Sequence, residues 1–109
     1  MSLSSHVLDT VRGTPARGVP IRWERRQGDA WTPVAEAVTD HDGRVSGWDA
    51  ATTRGVHRLV FATGDYFKAQ GSVTFYPEVV VLFEVTDADA HHHVPLLLSP
   101  FGYTTYRGS

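Results

Sequence analysis

The sequence contains no cysteine among its 109 residues. Disulfides, thiolate nucleophiles and cysteine-bound zinc sites are therefore excluded. A chain without cysteine suits a reducing compartment. Its first ten residues also lack the basic segment and the apolar run of a secretory signal. We therefore expect a cytoplasmic protein.

The sequence also lacks a strong excess of charge and any long apolar run. Its formal net charge of −2 gives no electrostatic footprint for nucleic acid. No stretch approaches the roughly 20 apolar residues that a membrane-spanning helix needs. Internal repeats and low-complexity segments are missing too, and the length suits one hydrophobic core. We expect a single domain spanning residues 1–109, with neither a nucleic-acid nor a membrane partner.

What the sequence does contain is a series of short alternating segments separated by glycine and proline. Apolar and polar residues that alternate with a period of two indicate half-buried strands. One short helix is predicted over residues 64–70, with Gly71 placed to end it. Pro33 indicates that the third strand is an edge strand or carries a bulge. The predicted strands cover residues 3–10, 19–26, 31–39, 44–48, 55–62, 75–85, 91–99 and 103–109. Short strands at this spacing predict an antiparallel β-sandwich.

The last nineteen residues, HHHVPLLLSPFGYTTYRGS, differ from an ordinary chain end. Side chains in a strand point to alternate faces, so His91 and His93 share one face with Leu97. By the same rule, His92 points to the opposite face. Chain ends are usually frayed and featureless, whereas this one has the composition of a structured segment.

Individually, the candidate functional residues are weak signals. A single histidine in a strand, such as His6, is most often a surface residue. An exposed arginine such as Arg44 is the ordinary case. The pair His91 and His93 is compatible with metal ligands, with acid–base groups or with plain surface residues. Taken one at a time, these residues leave the function open.

The C-terminal run resembles the end of the 5-hydroxyisourate hydrolases, which are transthyretin-like enzymes of urate, and hence purine, degradation. Further similar segments are SHVLD at residues 5–9, DGR at 42–44 and FYPEV at 75–79. The sequence departs from the family pattern at His92, where tyrosine is usual. Because His92 is expected to face away from His91 and His93, the change should leave the chemistry intact.

The resemblance implies a transthyretin fold, with two four-stranded sheets and one short helix. It also implies a homotetramer with its sites between subunits, where the outer faces of one sheet line a central channel. The implied reaction opens the ring of 5-hydroxyisourate to 2-oxo-4-hydroxy-4-carboxy-5-ureidoimidazoline without a cofactor.

Three catalytic positions follow from the resemblance: His6, Arg44 and His93. In a transthyretin-like topology all three lie on one outer face. Hydrolysis of a ring carbonyl needs a base to activate water and a positive partner for the oxyanion. Arg44 suits the second role because its guanidinium is always charged and planar. We expect His6 to be the base and His93 to position or protonate the leaving nitrogen, although the sequence does not decide between the two histidines.

Substrate-binding roles are implied in the same way for His91, Tyr106 and Ser109. The Ser109 hydroxyl or terminal carboxylate would orient substrate and water. The remaining histidines receive no role.

Two other functions remain as alternatives. One is a carrier like transthyretin, which would hold an aromatic ligand in the channel. The other is a metal-dependent hydrolase using His6, His91 and His93, since three imidazoles and a water form a known zinc site. We expect no metal, because Arg44 on the same face would repel a divalent cation.

Overall fold

A computed structural model describes residues 2–48 and 50–109. Within them it contains nine strands and one helix. Their bounds are β1 Ser2–Asp9, β2 Thr14–Pro15, β3 Pro20–Gln27, β4 Ala30–Val38, β5 Arg44–Val45, β6 Gly55–Phe61, α1 Thr63–Ala69, β7 Val79–Val85, β8 His91–Ser99 and β9 Gly102–Thr105. In the described part of the chain, no helix is long and apolar enough to cross a membrane.

The strands form two sheets. The first sheet has the order β2-β1-β8-β9, with β5 also paired to β1, and the second has the order β4-β3-β6-β7. β8 occupies one edge of β1 along its whole length, so β2 and β5 share the other edge at different heights. The first sheet therefore has five strands but is only four strands wide. This confirms the predicted two-sheet sandwich with one short helix, and the short strand β2 is an addition to the predicted strands.

One strand pair departs from the predicted antiparallel arrangement. β1 and β8 run parallel, with Ser4 beside His93 and His6 beside Pro95. Parallel neighbours need a long crossover connection, and here most of the chain, including the whole second sheet, lies between the two strands. Every other strand pair among the described residues is antiparallel.

The hydrophobic core lies between the inner faces of the two sheets. On β1 the odd-numbered residues are buried and the even-numbered ones are not, as alternation predicts. Fully burying a Leu- or Phe-sized side chain stabilises a fold by about 1.5–3 kcal/mol, so the paired inner faces hold the sandwich together. The largest apolar side chains that are almost completely buried are Trp23, Phe61, Ile21, Leu59, Leu96 and Leu98.

The helix α1 begins and ends one residue earlier than predicted, and Gly71 terminates it as predicted. Gly71 has a φ of +72°, the left-handed conformation typical of a residue after a helix. The amide of Gly71 donates to the Lys68 carbonyl, and the amide of Ser72 donates to the Phe67 carbonyl. On the buried side, the Tyr66 hydroxyl donates to the Asp9 carboxylate at 2.7 Å and ties the helix to the end of β1.

Some predicted strands are shorter in the structure. The strand predicted from residue 75 begins at Val79, because the Phe75 amide donates instead to the Pro100 carbonyl and Pro77 has no amide to donate. The strand predicted over 44–48 ends at Val45, before Gly47, which has a φ of +66°. The last predicted strand stops at Thr105. Pro33 lies on the edge strand β4 next to a register shift, which confirms both features predicted for it.

Candidate active site

The outer face of the first sheet changes from polar to apolar along its length. The parallel register of β1 and β8 produces cross-strand pairs that all lie on this face. In order from the polar to the apolar end, these pairs are Ser2 with His91, Ser4 with His93, His6 with Pro95, and Leu8 with Leu97. The predicted histidines therefore lie together at one end, above a small apolar surface.

Arg44 reaches this face through a tight turn. β5 pairs antiparallel with β1 and places Arg44 directly beside His6. One oxygen of the Asp40 carboxylate accepts from the amides of Asp42 and Arg44, both at 2.9 Å. The bond from the Arg44 amide is the main reason that the pKa of Asp40 is lowered. Gly43 closes the turn with a φ of +72°, and a β-carbon there would lie 2.4 Å from the Val7 carbonyl oxygen.

His93 is held from two sides. The Ser4 hydroxyl lies 2.8 Å from its Nδ1. On the other side, the Gly108 amide donates to the His93 carbonyl at 2.9 Å, and a β-carbon on Gly108 would lie 2.3 Å from Cδ2 of the ring. The imidazole therefore covers the backbone of the chain end, and only glycine leaves room for it. His93 is half-buried as a result.

His91 lies next to His93 and shares a hydrogen-bond partner with it. The Ser4 hydroxyl is 3.0 Å from Nε2 of His91, and the Ser2 hydroxyl contacts Nδ1 of the same ring. The two imidazoles are nearly parallel, at 15°, with centroids 6.5 Å apart. Ser4 is thus the common partner of both rings.

The surroundings of His93 favour its neutral form. Burial is the main reason that the pKa of His93 is lowered, and repulsion from the Arg44 guanidinium, and from His91 or His6 when either is protonated, lowers it further. A hydrogen bond with the Ser4 backbone acts in the opposite direction and is the smallest of these effects. The strand register places His6, Arg44 and His93 close together on one face, next to His91.

Of the other two predicted site residues, Tyr106 lies near His93, and Ser109 follows Gly108, which is bridged to His93. A cavity of about 240 Å³ is lined by His93 and Tyr106, together with part of β7. The His93–Gly108 bridge keeps the register of the β8–β9 pair, so Tyr106 and Gly108 continue its alternation. Ser109 is exposed. Among the described residues, the terminal carboxylate forms no ion pair with a histidine.

Sequence reasoning missed the hydroxyls of Ser2 and Ser4. Alternation on β1 already placed Ser4 on the same face as His6, and that was the available signal. Their partners could not be predicted, because the parallel pairing of β1 with β8 cannot be read from either strand alone.

The remaining histidines lie elsewhere. His57 is buried in the core, where its Nδ1 accepts from Trp23 Nε1 at 3.0 Å and its Nε2 donates to the Thr53 carbonyl at 2.7 Å. His92 is buried on the inner side of β8, as expected, although its Nδ1 has no hydrogen-bond partner among the described residues. His41 is exposed in the turn before β5. None of the three belongs to the cluster.

A cluster with metal-ligand spacing occurs in the described part of the chain only in that turn. It consists of Asp40, His41 and Asp42, all exposed. The histidines of the outer face are not part of it.

The fold and the cluster together define a class: a two-sheet β-sandwich that carries imidazoles and a guanidinium on an outer sheet face. A family model described as the HIUase/Transthyretin family matches residues 3–108. The chain therefore belongs to the HIUase/Transthyretin family.

Individual relatives agree with this assignment. The chain is 49% identical to the 5-hydroxyisourate hydrolase of Caulobacter vibrioides, over 98% of this chain and 97% of the relative. It resembles the structure of Klebsiella pneumoniae 5-hydroxyisourate hydrolase with a TM-score of 0.88 and 34% identity, over 100% of both chains. It also resembles sea bream transthyretin in complex with thyroxine, with a TM-score of 0.91 and 35% identity, over 97% of this chain and 93% of the other.

Proposed function

We propose that this protein hydrolyses 5-hydroxyisourate to 2-oxo-4-hydroxy-4-carboxy-5-ureidoimidazoline at the outer face of its first sheet. The observation that carries the proposal is the convergence of His6, Arg44 and His93 on one face, in a chain that is 49% identical to a hydrolase of that name.

The arrangement supplies the groups that such a hydrolysis needs. A water molecule attacks the ring carbonyl while His6 accepts its proton. Arg44, beside His6, stabilises the negative charge that develops on the carbonyl oxygen. His93 donates a proton from Nε2 to the leaving nitrogen as the carbon–nitrogen bond breaks. His91, Tyr106 and Ser109 surround the ring and orient it. No cofactor takes part.

The carrier alternative has less support. The fold cannot decide, because the hydrolase and transthyretin structures resemble this chain almost equally well. The support for the hydrolase comes from sequence comparison, in which 5-hydroxyisourate hydrolases such as those of Caulobacter vibrioides and Pseudomonas aeruginosa are 49% and 42% identical to this chain over 98% of its length. The basic and polar end of the face also suits catalysis better than storage of an apolar ligand.

One assay tests the hydrolase proposal. Purified protein is added to freshly generated 5-hydroxyisourate, and the ultraviolet absorbance is followed against spontaneous decay, with Arg44→Ala as the control. Acceleration by the wild type alone supports the proposal. Decay at the spontaneous rate with the wild type would rule it out.

We also propose a homotetramer in which the outer faces of the first sheets meet. Leu8 and Leu97 are only half-buried in the single chain and extend the apolar end of this face. Two-fold assembly would cover them and enclose the histidines. Light scattering that finds a stable and fully active monomer would contradict this assembly. The cytoplasmic location stays a prediction, which cell fractionation would check.

A further inference from the structure

Ser2, His91, Ser4 and His93 form an unbroken chain of polar contacts on the outer face of the first sheet. The Ser2 hydroxyl contacts His91 Nδ1, His91 Nε2 lies 3.0 Å from Ser4 Oγ, and Ser4 Oγ lies 2.8 Å from His93 Nδ1. Each hydroxyl can donate one hydrogen bond while accepting another. The chain therefore runs from the exposed His91 to the half-buried His93 without a gap.

The chain has a consistent direction when both rings are neutral. Ser2 donates to Nδ1 of His91, and Nε2–H of His91 donates to Ser4. The Ser4 hydroxyl then donates to Nδ1 of His93. All ring nitrogens except Nε2 of His93 are now used, and that nitrogen is left carrying a proton. Ser4 thereby fixes the Nε2–H tautomer of His93, the form that can donate to a substrate.

A neutral imidazole is a poor acid by itself, because losing its only N–H proton would leave an imidazolate. His93 has this difficulty, since burial and the neighbouring Arg44 guanidinium lower its pKa and favour the neutral ring. The titratable or charged groups that act on His93 are His91 on its own strand, Arg44 on β5 and His6 on β1. If Nδ1 of His93 receives a proton while the Nε2 proton leaves, the ring stays neutral and no imidazolate forms.

We propose that Ser4 is a positioning residue that relays a proton from His91 to His93 during the ring opening; the proposal rests on the hydrolase function above. The Nε2 proton of His93 goes to the leaving nitrogen as the carbon–nitrogen bond breaks. The Ser4 hydroxyl proton moves to Nδ1 of His93, and the Nε2 proton of His91 moves to Ser4. At the same time the Ser2 hydroxyl proton moves to Nδ1 of His91 and Ser2 takes a proton from solvent, so neither ring becomes an imidazolate. After the product leaves, Nε2 of His93 takes a proton from solvent, the protons along the chain shift back and Ser2 releases one to solvent. The proton that His6 took from the attacking water also returns to solvent.

The test compares Ser4→Ala, Ser4→Thr and Ser5→Ala. Ser5 is the matched control, because it neighbours Ser4 on β1 but points inward and donates to the Val94 carbonyl at 2.7 Å. Ser4→Ala should lower kcat by about 10- to 100-fold with little change in KM. In the wild type the solvent deuterium isotope effect should reflect the transfer of several protons in one step. In Ser4→Ala it should fall toward the value for a single proton transfer. Ser4→Thr keeps the hydroxyl and should restore most of kcat, while Ser5→Ala should lower stability and leave kcat unchanged.

A second readout does not depend on activity. Nitrogen-15 NMR of the free wild-type protein should show His93 as the Nε2–H tautomer, and Ser4→Ala should give a mixture of tautomers. A wild type that does not hydrolyse the substrate would refute the hydrolase function, and with it the relay as a catalytic step. The NMR result would still decide whether Ser4 controls the tautomer of His93. An active wild type whose tautomer, kcat and isotope effect are all unchanged in Ser4→Ala would overturn the relay alone.

Discussion

Replacing Gly108 by alanine should remove activity without unfolding the protein. The new β-carbon would lie 2.3 Å from Cδ2, 3.0 Å from Cγ and 3.3 Å from Cβ of His93. Carbon atoms in favourable contact are roughly 3.5–4.0 Å apart, so the ring or the chain end has to move by more than about 1 Å. Rotation of the ring cannot relieve the clash fully, because the close atoms include Cγ and Cβ, and Ser4 holds Nδ1 in place.

A displacement of about 1 Å at a catalytic group can cost about 10²-fold in rate, so we expect a loss of that size in kcat/KM. The free energy of unfolding should change little, by about 1 kcal/mol or less, because Gly108 lies beyond β9 and contributes one backbone bond to His93. Gly102→Ala is the matched control, since its β-carbon would meet nothing closer than the Ser99 hydroxyl at 3.7 Å. Steady-state kinetics and urea unfolding of both variants decide the matter. Full activity in Gly108→Ala would refute the close packing of His93 on the chain end.

Three further outcomes are expected. Alanine at His6, Arg44 or His93 should lower kcat by roughly 10²-fold or more and change the free energy of unfolding by about 1 kcal/mol or less. The control, His41→Ala, should leave turnover intact. An equal loss of turnover in His41→Ala would show that the catalytic residues are misassigned. Burial lowers the pKa of His57 below the ordinary value of 6.5, so the unfolded chain binds a proton that the folded chain excludes. Urea unfolding should therefore show stability falling as the pH drops through 6.5, with a weaker fall in His57→Gln. An unchanged pH dependence in that variant would assign the effect to other groups. A short extension at the C-terminus should lower turnover and leave assembly intact, while the same tag at the N-terminus should change neither turnover nor assembly. Equal turnover from the two tagged forms would show that the chain end is not part of the site.

The faces of the strands could be predicted from the sequence because alternation is a local property. The inward residues of β1, and the opposite orientations of His92 and His93, depend only on position along a strand. The helix end at Gly71 was predictable for the same reason, since the left-handed conformation favours glycine.

Contacts between distant strands could not be predicted in this way. Nothing in the sequence of β1 indicates that its neighbour is parallel. The contacts of Ser2 and Ser4 with the histidines can therefore be identified only once the pairing of β1 with β8 is known. The late start of β7 likewise depends on a remote carbonyl, that of Pro100, which takes the Phe75 amide out of the strand. The family resemblance supplied the grouping of His6, Arg44 and His93, which composition and spacing left open.

The parallel pairing of β1 with β8 has a consequence for how the protein is made. β1 is synthesised well before its full-length partner β8, because about 80 residues separate Asp9 from His91. At a synthesis rate of about 5–20 residues per second, the edge of β1 that later pairs with β8 remains unpaired for several seconds. During that time the strand presents unpaired amides and carbonyls to any neighbouring chain. Newly made chains should therefore be most prone to misassociation late in synthesis, and a chain cut before residue 91 should have neither the site nor a complete first sheet.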